Sequence, residues 1–150
     1  YHDTVESLLA RKRERFGFAV MLCAHSMPTP RARSLRAALP VADADIVPGT
    51  RGRTTADARY IDLIDQVAQS RGLSVQHDIP YRGGFSTGYY GNPQRGTHAM
   101  QLEIARRLYM DEVRLTPLAG RFDDVKDFSR ELVSKLVNES QRVYRNPPAS

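Results

Sequence analysis

The stretch FAVMLCA, residues 18–24, constrains the fold of this chain more than any other. It has no polar alternation and is too short for a helix of its own, so it reads as a strand buried within a sheet. Helical spacing precedes it: Val5, Leu8, Leu9, Lys12 and Phe16 recur on one face, Asp3 and Glu6 give an N-terminal cap signal, and Gly17 closes the segment. The strand then stops on His25, Ser26 and Pro28. An imidazole at that point either satisfies a backbone group where the strand leaves the core or serves as a ligand held at the mouth of a sheet.

Further elements alternate along the chain. The segment from Met27 to Leu39, rich in proline, reads as a loop, and ADIVPGT (44–50) as a short strand running into a glycine turn. Thr54 and Asp57 give a second cap signal before the stripe Tyr60, Ile61, Ile64, Val67 and Ala68, which Gly72 ends. LSVQH (73–77) reads as a strand, DIPYRGGFSTGYYGNPQRG as a long irregular segment, and THAMQLEIA (97–105) as a strand with Met100, Leu102 and Ile104 on one face. Val125, Phe128, Leu132, Leu136 and Val143 predict a C-terminal helix, followed by a frayed NPPAS tail. Strands alternating with helices specify one layered α/β domain over residues 1–150, with helices packed on a parallel or mixed sheet.

Composition narrows the function classes. With 41% hydrophobic and 26% charged residues, the chain is neither disordered nor fibrous. No apolar run approaches the ~20 residues that span a bilayer. The single cysteine, Cys23, excludes an internal disulfide, suits a reducing, cytoplasmic setting and reads as a core thiol. The net charge of +5 admits a nucleic-acid partner, but the arginines are scattered and no binding motif accompanies them. The densest cluster, RKRER at 11–15, closes a predicted helix, where cations favour the negative end of the dipole.

Ligands in such sheets bind beyond the carboxyl ends of the strands. His25, the turn at Gly49–Arg53 and the glycine–tyrosine loop all fall there. The loop is long for a connection and too aromatic for a disordered linker, its glycines allow close backbone approach, and Arg82 and Arg51 could each grip a carboxylate. Glu103 is unusual within a strand pattern. By alternation it shares a face with Gln101 and Ala105, where it is either solvent-facing or a carboxylate set beside a metal.

Four stretches in order, HSMP (25–28), DIVPGTRGRTTA (45–56), PYRGGFSTGYYGNP (80–93) and HAMQLEIARRLYMDE (98–112), resemble the N-formylglutamate amidohydrolase (N-formylglutamate deformylase) family. The resemblance runs from Tyr1 to about Asn138. It implies a fold similar to zinc carboxypeptidases and aspartoacylases, a phosphorylase/hydrolase-like domain with a central mixed sheet flanked by helices. It also implies one Zn²⁺, held by a His and a Glu of an early H-x-x-E motif and by a later His that ends a strand, and a glutamate general base after the glycine–tyrosine loop. Carried onto this sequence, His25 is the third zinc ligand and Glu103 the base. Arg82, Arg51, Arg106 and Tyr81 are the substrate-binding candidates. The implied reaction releases formate from N-formyl-L-glutamate, a small acidic N-acyl amino acid of histidine degradation.

Two departures stand out. Cys23 occupies the position where the family usually has an aspartate. The early H-x-x-E pair is missing, since His2 is followed by Asp3, Thr4 and Val5. The expectation is therefore the C-terminal part of a longer enzyme, lacking two zinc ligands and inactive alone. Two rivals stand beside it: a hydrolase of another N-acyl amino acid, and a degenerate, non-catalytic domain whose basic surface binds an acidic partner. His77 and His98 are ambiguous: His98, ahead of Glu103 in sequence, is either brought towards the site or a surface histidine.

Overall fold

The computed structural model of the chain describes residues 1–29 and 44–146. Most of the proline-rich loop after Met27 and all but the first residue of the NPPAS tail lie outside the described residues. In chain order the elements are α1 (His2–Phe16), β1 (Ala19–Met27), β2 (Ile46–Gly49), α2 (Ala58–Ser70), α3 (Phe85–Tyr90), β3 (Thr97–Ala105), β4 (Met110–Asp111), β5 (Thr116–Pro117) and α4 (Arg121–Arg145). Among the described residues the main sheet is mixed, in the order β1–β3–β2, with β3 parallel to β1 and antiparallel to β2. β4 and β5 form a separate small hairpin.

The even-numbered positions of the sheet build the core. Ile46, Met100, Leu102 and Ile104 pack against the buried stripe of α2 and against Phe128, Leu132 and Leu136 of α4. That α2 stripe is the one the periodicity specifies, Tyr60, Ile61, Ile64, Val67 and Ala68, and Asp57 caps the helix by accepting the Arg59 N–H. β3 occupies the residues expected of it, 97–105, and every one of them is buried.

Four expectations are corrected. LSVQH is not a strand but a single parallel bridge between Val75 and Ile46. The Ile46 N–H donates to Ser74, Gln76 donates back to Ile46, and Asp78 to Pro48, but Pro48 has no N–H to give in return, so the ladder cannot extend. The glycine–tyrosine segment is not wholly irregular, because FSTGYY forms α3. α1 begins at His2, with Asp3 inside its first turn rather than capping it. Finally, α1 buries no residue in the structure, and Leu8 is exposed. Its first turn is tied to α3 instead, through His2 Nδ1 to the Tyr90 hydroxyl at 2.7 Å and the Tyr89 hydroxyl to Glu6 Oε1 at 2.8 Å. Among the described residues no helix is long and apolar enough to cross a membrane.

Candidate functional site

The odd-numbered positions of the same sheet carry different chemistry. Register sets His25 of β1 and Val47 of β2 on either side of Glu103, and Cys23 and Gly49 on either side of Gln101. Residues paired across strands project to one face, so His25, Glu103, Gln101 and Cys23 share it. The structure thus brings together the two residues expected to carry the chemistry, on neighbouring strands near the carboxyl ends of both. His25 is exposed, whereas Glu103 retains only 5% of its surface, which rules out the solvent-facing alternative for the glutamate.

Burial dominates the titration of Glu103 and pushes its carboxyl above the ordinary range. A hydrogen bond from Gln101 and the electrostatic influence of the neighbouring His25 and Arg106 oppose that shift without cancelling it. The carboxylate accepts from Gln101 Nε2 at 2.7 Å, and Gln101 Oε1 in turn accepts from the Gly84 N–H at 2.8 Å. Neither link was assigned from sequence. The signal for Gln101 was its position two residues before Glu103 on the same face; the loop partner, 17 residues away, had none.

Two glycines let the glycine–tyrosine loop lie against the end of β2. A Cβ on Gly49 would come within 2.6 Å of the Gly83 backbone nitrogen, so no larger residue fits there. Asp78, also unassigned from sequence, fixes the turn beside it. Its Oδ1 accepts the N–H groups of Thr50 (2.8 Å) and Arg51 (3.0 Å), and its Oδ2 that of Gly52 (2.6 Å). The Arg51 N–H also donates to the Arg82 carbonyl, so the turn and the loop are held as one unit.

The substrate-binding candidates occupy different environments. Arg106 bonds through Nε to Ser26 Oγ at 3.2 Å and is close enough to Glu103 to favour its ionised form. Arg51 lies across α3 at Gly88, with Nη2 3.5 Å from the Gly84 carbonyl and a buried Nε that has no partner. Arg82 is exposed. Tyr81 packs against the small cluster of Met27, Ala44, Val47 and Ala105 and forms an apolar wall on the Glu103 side of the sheet. Among the described residues none of the three arginines pairs with a carboxylate, whereas Arg53, Arg71 and Arg107 pair with Asp62, Glu131 and Asp45.

The other assignments divide. Cys23 belongs to the site face rather than the core, a correction that follows from its register with Gln101; partial burial raises its thiol pKa and keeps it neutral. His98 is buried behind the sheet, its ring 4.9 Å from Tyr60 and its Nδ1 accepting the Asp57 N–H, so it does not approach the site. His77 is a partly buried residue bonded to Asp65.

A catalytic zinc takes about three protein ligands. Among the described residues no three His, Cys, Asp or Glu side chains converge to hold a metal ion. His25 is well presented as a single ligand, but the residues described here do not complete a zinc site.

The site face of this mixed α/β sheet thus sets a buried carboxylate beside an exposed imidazole near the strand ends. The chain belongs to the N-formylglutamate amidohydrolase family, whose model matches residues 1–110. It is 32% identical to an N-formylglutamate deformylase of Pseudomonas aeruginosa over 138 residues, which are 91% of this chain and 49% of that protein. A deformylase of the same name from Pseudomonas putida is 34% identical over 113 residues, 75% of this chain and 41% of that one. The chain thus spans about half the length of these relatives or less. Among solved structures, the N-formylglutamate amidohydrolase of Ralstonia eutropha JMP134 superposes with a TM-score of 0.78 at 28% identity, over 97% of this chain and 50% of that one. A gene product of Agrobacterium tumefaciens, at 19% identity and a TM-score of 0.62, shares the fold.

Proposed function

We propose that the protein containing these residues hydrolyses the formamide bond of N-formyl-L-glutamate, releasing formate and glutamate. The observation that carries this reading is the buried carboxylate of Glu103, held in register beside His25 with its pKa raised. Glu103 accepts a proton from the attacking water as oxygen bonds to the formyl carbon. It then returns that proton to the departing nitrogen as the C–N bond breaks. A carboxyl whose pKa lies above the ordinary range is suited to both transfers, because base strength and donor strength are then balanced nearer neutral pH. The guanidinium groups of Arg51, Arg82 and Arg106, none of them paired with a carboxylate among the described residues, supply forks for the two carboxylates of such a substrate, and Tyr81 closes the apolar side.

Zinc is part of this reading through His25 alone. The remaining ligands belong, in this proposal, to sequence outside these 150 residues, and the three guanidinium groups and Glu103 do not depend on it for their assignments. The test is formate release from N-formyl-L-glutamate by the protein carrying these residues within its full reading frame, with and without a zinc chelator. Chelator-sensitive release supports both substrate and metal. A protein that holds one zinc but releases no formate keeps the metallohydrolase and discards the substrate in favour of another N-acyl amino acid. Absence of both zinc and release removes the enzyme reading and leaves a domain that binds an acidic partner through its basic surface.

A further inference from the structure

The Gln101 side chain lies between the glycine–tyrosine loop and Glu103, and its geometry leaves no choice of orientation. Gln101 is 8% exposed and Glu103 5%, so both side chains are desolvated and need partners inside the protein. The Gln101 amide meets Gly84 at its N–H, which can only donate, so the amide oxygen must face it, at 2.8 Å. That commits the NH₂ group to the other side, where it reaches Glu103 Oε1 at 2.7 Å. An amide fixed at one end by a backbone donor cannot flip, so it presents an N–H, and never an oxygen, to the carboxylate.

The consequence falls on the free oxygen of Glu103. Glutamate has three rotatable bonds, and a base gains rate only when its lone pair is aimed at the proton it takes. Engaging Oε1 fixes the carboxylate plane. Among the described residues Oε2 accepts from no donor. One oxygen is therefore anchored and the other left open for a proton. The anchor comes from the loop that also bears Arg82, and Gly84 is further approached by the Arg51 guanidinium.

We propose that Gln101 is the positioning residue of the hydrolytic site, relaying the placement of the glycine–tyrosine loop to the orientation of Glu103. This rests on the reading of Glu103 as the base. In this role Gln101 acts through the carboxylate that it holds.

Two variants of the full protein separate this role from simple loop anchoring. Gln101→Glu keeps an acceptor for the Gly84 N–H and, when ionised, sets a like charge against Glu103 in place of the amide donor. Gln101→Met removes both bonds at similar volume. The expected result is a fall in kcat for formate release of about 10–100-fold in each variant, the range seen when a partner of a site residue is lost. KM for N-formyl-L-glutamate should move by less than about threefold in Gln101→Glu, which keeps the Gly84 bond that holds the loop bearing Arg82. In a Glu103→Gln background, Gln101→Met should cost nothing further. Wild-type kcat in Gln101→Glu would overturn the proposal and reduce Gln101 to a loop anchor. An additive loss in the double variant, or a change confined to KM, would overturn it equally. If Gln101→Met fails to fold, as judged by circular dichroism, Gln101→Glu alone decides. Full activity in Glu103→Gln is a different failure: it removes the base itself, and with it the reading on which this proposal rests.

Discussion

The two faces of the main sheet share one backbone, yet they are built on opposite terms. On the even face of β3, Met100 and Leu102 are buried against α2 and α4, with Ile104 at the same layer. On the odd face Gln101 and Glu103 are buried almost as completely. For an aliphatic side chain burial is the driving force, on the order of 1.5–3 kcal/mol for each one fully removed from water. For Glu103 burial opposes ionisation, and the raised pKa is the mark of that cost. Equal burial therefore has two meanings: on one face it supports the fold, and on the other the fold supports a strained charge.

Substitutions on the two faces should come apart accordingly. Glu103→Gln is expected to lower kcat/KM by about 10²–10⁴-fold, the usual range for loss of a catalytic acid–base, while leaving the thermal midpoint unchanged or higher, since it removes a carboxyl that burial disfavours. Leu102→Ala, one residue away on the other face, should do the reverse. It should cost about 2–5 kcal/mol in chemical denaturation, with kcat per folded molecule close to wild type. If the glutamine variant unfolds, or the alanine variant is folded but dead, the division between the faces does not hold.

A smaller effect tests whether the site face has its own scaffold. Asp78 accepts three successive backbone N–H groups, from Thr50, Arg51 and Gly52. Asp78→Ala leaves these donors without their acceptor, for an expected loss of about 1–3 kcal/mol. Hydrogen exchange at residues 50–52 and 82–84 should quicken while the amides of α2 and α4 stay protected. Uniform deprotection would mean that the turn and the core unfold together.

The same division explains what could be read from the sequence. The α2 stripe and the limits of β3 follow from periodicity within one segment, and the structure reproduces them. His25 and Glu103 were also legible, because an imidazole ending an apolar run and a carboxylate inside a strand are local anomalies, and the family resemblance gave them a chemistry. What escaped depends on partners far along the chain. LSVQH has the composition of a strand, and only the missing N–H of Pro48 on its neighbour stops it. The role of Asp78 exists only where three N–H groups of a distant turn converge on it. Cys23 looked like a core thiol because an apolar run does not announce which of its residues turn to the second face; register with Gln101 decides that.

The smallest effect lies on the core face, at the buried imidazole of His98. His98 accepts the Asp57 N–H on Nδ1 at 3.1 Å and packs against Tyr60, so it joins the start of α2 to β3. Protonation would destroy that acceptor and place a charge in the core. Burial lowers the His98 pKa below the ordinary 6.5; the charge of Asp57 works against the shift and that of Arg59 adds to it. Between the depressed native value and 6.5 the unfolded chain binds more protons than the native one, so stability rises with pH across that window. The contribution is complete above 6.5 and is lost as the pH falls towards the native pKa. Urea midpoints measured at pH 7.5 and 5.5 should therefore differ, with the lower stability in acid. His98→Gln, which retains an acceptor but cannot take up the proton, should reduce that difference. An unchanged difference in the variant would place the acid sensitivity elsewhere than at His98.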